Sequence, residues 1–200
     1  MPTTPADHRL DADLVRHAAA GDREAFAAIY ERYRTVVYRF ARLMSGSVAT
    51  AEDVTQEVFV TLMRTLPLYE PQRAGLLTYL YGVARNVTRN RLRRERRFVT
   101  LEAAAHTSSA ADDPCTAASH SQELAQMRRV IRALPSRYRE AVILCDVHGL
   151  SYAETARVLQ APVGTVRSRL NRGRQMIAAR MRDCEPSSHR GAAGIERCIV

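Results

Sequence analysis

Residues 165–174 place Thr165, Arg167, Ser168, Asn171, Arg172 and Arg174 along about three turns of one expected helix. Arg and Asn can each make paired hydrogen bonds to a purine edge in the major groove. Ser and Thr hydroxyls, with the free amides of a helix start, suit phosphate oxygens. A second basic run, residues 85–97, holds seven Arg against one acid, Glu95, or +6 in 13 residues. Such a run attracts a polyanion, and its binding falls as salt rises. Tyr79 and Tyr81 precede it and offer rings of the kind that stack on unpaired bases. The third constellation has the opposite sign. In AEDVTQEVF, residues 51–59, Glu52, Asp53, Gln56 and Glu57 make a polar face opposite Val54 and Val58. An acidic face on a basic chain is suited to a basic protein surface rather than to DNA.

No catalytic set accompanies these groups. The six His are scattered at 8, 17, 106, 120, 148 and 189, and no nucleophile elbow, Walker loop or HExxH occurs. The four Cys (115, 145, 184 and 198) form no CxxC pair and have no zinc-finger spacing with His, so free thiols in a reducing cytosol are expected. Neither a metal nor another cofactor is expected. The start of the chain lacks a basic stretch followed by an apolar one, and no run of 18 apolar residues exists. A cytoplasmic chain without membrane insertion follows as the expectation.

The elements that must carry these groups read as helices. The chain has 200 residues, 46 % of them hydrophobic and 6 % aromatic, with a net charge of +9. All 30 of its basic residues are Arg. Residues 1–97 hold 16 Arg and 11 acids, residues 128–182 hold 12 Arg and three acids, and residues 98–127 hold no Arg and four acids. The last segment, with Glu102, Asp112, Asp113 and Glu123 among Ala, Ser and Thr, reads as a flexible acidic linker between two basic domains. Residues 183–200 lack periodicity and read as a disordered tail.

Phe26, Ile29, Tyr30, Tyr33, Val36, Val37, Phe40 and Leu43 recur at helical steps, with Gly21-Asp22 separating them from an earlier stripe of Leu14, Ala18 and Ala19. A helix starting at Thr50 or Ala51 buries Val54, Val58, Phe59 and Leu62, and another covers residues 76–97 after a loop bracketed by Pro67 and Pro71. Four helical segments fill residues 124–182. Ser136 is positioned to cap the second and Gly149 to break it. Ser151 with Glu154 has capping-box spacing for the third, and PVG introduces the fourth. The last two form a helix-turn-helix pattern, with Val166, Leu170, Gly173 and Ile177 turned inward.

The strings DREAFAAIYERY, AEDVTQEVFVTLMR, YLYGVARNVTRNRLRRERR, LPSRYREAVIL and GLSYAETARVLQAPVGTVRSRLNRGR occur in that order. Together they closely resemble a bacterial sigma factor of the extracytoplasmic-function (ECF) group in the sigma-70 family, over about residues 11–182. The resemblance implies an all-α protein of two small helical domains: region two at 11–97, a linker at 98–123 and region four at 124–182. It implies that the face of Glu52, Asp53, Gln56 and Glu57 docks on the clamp helices of the polymerase β′ subunit. It implies minus-ten element recognition and melting by residues 69–97, with Tyr69, Arg73, Tyr79, Arg85, Asn86, Arg89, Asn90 and Arg93 as contacts. Residues 165–180 would read the minus-thirty-five element as duplex through the six side chains named first. Core RNA polymerase (β′ clamp helices and β flap), promoter DNA and an anti-sigma factor are the implied partners. The linker would thread through the polymerase cleft. Tyr79 stands where the family's melting helix usually carries Trp; Gly82 stands at a commonly bulky or basic position, and Leu76-Leu77 at a usual aromatic-plus-basic pair. Two other readings of the residues remain at this point. One is a stand-alone helix-turn-helix regulator, which would shift operator DNA without polymerase. The other is a DNA-processing enzyme, disfavoured by the missing catalytic set.

Overall fold

The structure is a computed structural model and describes residues 5–71, 74–102 and 119–183. Every regular element among them is helical. The first half comprises α1 (Pro5–Ala19), α2 (Arg23–Ser45), α3 (Val48–Thr65), a 3₁₀ turn (Leu66–Leu68) and α4 (Leu76–Glu102). The second comprises α5 (Ser119–Arg132), α6 (Ser136–Val142), a π-helical turn (Ile143–Val147), α7 (Tyr152–Leu159) and α8 (Val163–Asp183).

Local chemistry sets most of these boundaries. Asp22 caps α2 by accepting from the amides of Glu24 (2.8 Å) and Ala25 (3.2 Å). Gly46, at φ +82, ends α2 in the left-handed conformation that a side chain would strain. Ser47 caps α3, which starts two to three residues earlier than the apolar pattern suggests. Ser151 and Glu154 form the expected capping box on α7. Ser136 caps nothing: Pro135 occupies the cap position without a side-chain bond, and Ser136 is the first residue of α6. Helix α4 runs five residues beyond the expected end at Arg97, and α5 begins five residues before 124. Residues 98–102 and 119–123 of the expected linker are thus helical, and residues 103–118 lie outside the described residues, as does the tail from 184 onward.

The inward stripe of α2 is built as its spacing dictates. Ile29, Tyr33, Val37 and Phe40 are buried, joined by Val54, Val58, Phe59 and Leu62 of α3 and by Leu76, Leu80 and Ala84 of α4. In the second half Val166 and Leu170 of α8 are buried beside Ala141, Val142 and Leu144. Gly173 is the close-approach point of α8 on α6, since a Cβ there would lie 2.7 Å from Val142 Cγ2. Val142 is β-branched and stiff. Gly173→Ala is therefore expected to destabilise by about 1–2 kcal/mol, as overpacking outweighs the better helix propensity of Ala. A thermal melt that moves upward would refute that contact.

The two halves share one apolar core rather than standing apart. Phe40 of α2, Tyr81 of α4 and His148 at the end of the π turn cluster, with ring centroids 5.0 Å (Tyr81–His148) and 5.7 Å (Phe40–Tyr81) apart. Arg139 of α6 donates to the carbonyl oxygens of Met44 (2.8 Å) and Leu134 (2.9 Å), and Arg132 donates to that of Gly46. Two cations from the second half thus meet the carboxyl end of α2, where its unpaired carbonyls concentrate negative potential.

Candidate nucleic-acid interface

Helix α3 presents Glu52, Asp53, Gln56 and Glu57 to solvent, as its period requires, while Val54, Thr55 and Val58 face inward. Val60 (41 % exposed) and Met63 (57 %) continue the same face by steps of four and three. Those two apolar residues were not singled out from sequence, where they resemble their buried neighbours. Asp53 forms an ion pair with Arg91 of α4. The acidic face is thus tied to the basic helix.

The residues of α4 expected to contact DNA divide. Asn86, Arg89, Asn90 and Arg93 are exposed along it. Arg85 is not: its side chain is 9 % exposed and its Nε donates to Glu140 of α6 at 2.8 Å, with Arg89 Nε 3.8 Å from the other oxygen. The physical reason is desolvation. A cation taken out of water requires a close counter-charge, and Glu140, itself 4 % exposed, provides it. Arg85 can reach a nucleic acid only where Glu140 has moved away. Arg73 lies outside the described residues.

The aromatic residues also separate. Tyr81 is 1 % exposed and belongs to the core, so it is withdrawn from base stacking; burial raises its phenol pKa above the usual range. Tyr79 is half-buried, and its hydroxyl pairs with that of Thr65 at 2.7 Å. Tyr69 meets Tyr79 edge to face with centroids 5.3 Å apart, and its hydroxyl donates to the carbonyl of Ala74 at 2.7 Å. Burial pushes Tyr69 up to about 12, so its ring remains a neutral phenol at any physiological pH. The two rings form a firm wall where the loop enters α4, beside the exposed Leu68.

On α8, Arg167, Ser168, Asn171, Arg172 and Arg174 are exposed and Thr165 is half-buried, opposite the inward Val166 and Leu170. Ser168 Oγ donates to the Thr165 carbonyl at 2.9 Å. Arg174 is forked onto Asp146 of the π turn, Nε to Oδ2 at 3.0 Å and Nη2 to Oδ1 at 2.5 Å, and this bonding raises its already high pKa. The turn between α7 and α8 places Gln160 at φ +50, the one described non-glycine residue with positive φ. Cys145, beside Asp146, is a free thiol that burial keeps above its ordinary pKa. The other three cysteines fall outside the described residues.

A helix-turn-helix with an exposed basic second helix, joined through a shared core to a bundle with one acidic and one basic helix face, defines a sigma-70-type initiation factor. Family models agree: sigma-70 region 2 matches residues 29–98 and sigma-70 region 4 matches residues 124–177. The ECF RNA polymerase sigma factor SigW of Bacillus subtilis is 31 % identical over 179 residues, covering 84 % of this chain and 95 % of that protein. The ECF sigma factor SigC of Mycobacterium tuberculosis is 31 % identical over 191 residues, covering 96 % and 100 %. Among solved structures, CnrH in complex with the cytosolic domain of CnrY superposes with a TM-score of 0.68 at 25 % identity, covering 88 % of this chain and 99 % of that one. The chain belongs to the ECF group of RNA polymerase sigma factors, which direct promoter-specific initiation of transcription. The stand-alone regulator is not favoured, since such a protein has no use for a region-2 bundle.

Proposed function

We propose that this chain binds core RNA polymerase through the α3 face and reads promoter DNA through α4 and α8, with RNA synthesis itself carried out by the polymerase. Glu52, Asp53, Gln56 and Glu57, extended by Val60 and Met63, form the docking face for the β′ clamp helices, and region 4 meets the β flap. Tyr69, Tyr79, Asn86, Arg89, Asn90 and Arg93 act on the minus-ten element, joined by Arg73 and by Arg85 once Glu140 releases it. Thr165, Arg167, Ser168, Asn171, Arg172 and Arg174 face the minus-thirty-five element. The activity is cytoplasmic; among the described residues no helix is long and apolar enough to cross a membrane. The likeness to CnrH, whose structure is a complex with a cytosolic domain of CnrY, supports an anti-sigma partner for this chain too. The observation that carries this reading is the opposition of charge on neighbouring helices: an acidic α3 face suited to protein, and basic α4 and α8 faces suited to DNA.

The deciding experiment is run-off transcription on fragments bearing mapped starts, with this chain and core polymerase added separately and together. Specific transcripts are expected only from the combination. Glu57→Arg is expected to weaken core binding at least tenfold, about 1.4 kcal/mol, because a cation then faces a basic partner surface. Asp53→Arg should act likewise but also loses Arg91, so Glu57 is the cleaner site. Retained core affinity in a folded Glu57→Arg protein would refute the docking face.

Arg167→Ala and Arg172→Ala are each expected to lose about 1–3 kcal/mol of discrimination between the matched upstream element and a substituted one. Holoenzyme binding to the two duplexes measures this. Equal losses on both would remove base reading from these positions.

A further inference from the structure

Base reading by α8, on which this inference rests, requires its arginines to be aimed. A free arginine carries rotamer entropy, which must be given up when it forks onto a base or phosphate. Two arginines of α8 are already held, each by a residue outside that helix. The guanidinium carbon of Arg167 lies over the ring of Tyr152, 5.5 Å from its centroid. Tyr152 is the first residue of α7 and lies inside the Ser151–Glu154 capping box, so the backbone beneath the ring is fixed. Tyr152 is 40 % exposed and stands outside the core cluster. A guanidinium held over a ring by cation–π attraction commits no hydrogen-bond acceptor to its N–H groups and leaves them free. Arg174 is held differently. Its fork occupies Asp146, so two of its donors are taken and its charge is balanced.

We propose that Tyr152 and Asp146 are positioning residues for DNA recognition by α8. Tyr152 keeps Arg167 extended for a base edge and so sharpens sequence discrimination. Asp146 restrains and neutralises Arg174 and so limits sequence-independent attraction to the backbone. The two act on different quantities, and one experiment separates them.

Holoenzyme formed with the full chain is titrated onto a promoter duplex taken from its mapped transcript starts, and onto the same duplex with the upstream element scrambled, across a range of salt. Tyr152→Leu keeps apolar bulk but removes the ring face. It is expected to reduce the matched-to-scrambled affinity ratio at least threefold, while Tyr152→Phe retains it. Combining Tyr152→Leu with Arg167→Ala should be no worse than Arg167→Ala alone. Asp146→Asn is expected to raise affinity for both duplexes and to steepen the slope of log affinity against log salt by about one. If Arg167→Ala leaves the ratio intact, the base-reading role of α8 itself fails. If Arg167→Ala lowers the ratio but Tyr152→Leu does not, or the two losses add, the positioning role of Tyr152 is overturned. An unchanged salt slope in Asp146→Asn overturns that of Asp146. Thermal melts confirm that each variant is folded.

Discussion

Glu140→Ala is expected to destabilise the folded chain by about 3–5 kcal/mol, the effect of removing one partner from a buried ion pair. Glu140 and Arg85 are 4 % and 9 % exposed, and Arg85 Nε donates to Glu140 at 2.8 Å. Truncating Glu140 leaves a guanidinium enclosed by protein with its counter-charge gone. Arg89, 43 % exposed, can turn to water and contributes little to the loss. Glu140→Gln keeps the shape and one acceptor and should fall between. Equilibrium denaturation in urea measures the series. A midpoint for Glu140→Ala equal to that of the parent would mean that Arg85 finds solvent without cost, and that the two halves are not joined through this pair.

The second large effect is a loss of stability in acid that runs through His148. Its Nε2 is buried with no hydrogen-bond partner, and the ring lies 5.0 Å from Tyr81 and 6.3 Å from Phe40. Burial first, and the positive field of Arg39 second, push its pKa down to about 4 from an ordinary 6.5. The sign follows from linkage. Between those values the unfolded chain binds a proton that the folded chain refuses, so stability rises with pH. The contribution is complete above pH 6.5 and is lost as pH falls through about 4. The full swing is about 3 kcal/mol. His148→Phe should flatten this part of the profile, leaving only the carboxylate titrations common to both proteins. Parallel pH profiles for parent and variant would show that His148 gains a partner on protonation.

Much of this arrangement was legible in sequence because it depends on near neighbours. Capping of α7 needs only Ser151 and Glu154, three residues apart. The inward faces of α2, α3 and α8 follow from a period of 3.6. What stayed hidden depends on partners far along the chain. A run of arginines looks uniform, yet Arg85 is buried against a carboxylate 55 residues away while Arg89 and Arg93 stay exposed. Tyr79 and Tyr81 are two residues apart and look equivalent, but only Tyr81 falls into the core. The sharing of one core by both halves follows from such contacts. A linker's composition gives its flexibility and reach, and says nothing of whether the domains it joins touch.

The π turn at Ile143–Val147 has its own consequence, which concerns chain length rather than residue type. The amide of His148 donates to the carbonyl of Ile143 at 2.9 Å, a ring one residue wider than an α turn. The segment is in effect an insertion that the helix has absorbed. It lets one short stretch serve two neighbours, sending Asp146 to Arg174 and His148 to Phe40 and Tyr81. Deleting one residue there would restore a regular α turn and swing everything after it by about 100°. Both contacts would then point elsewhere although every side chain that makes them survived. The count of residues in this turn, and not only their types, therefore sets where Asp146 and His148 point.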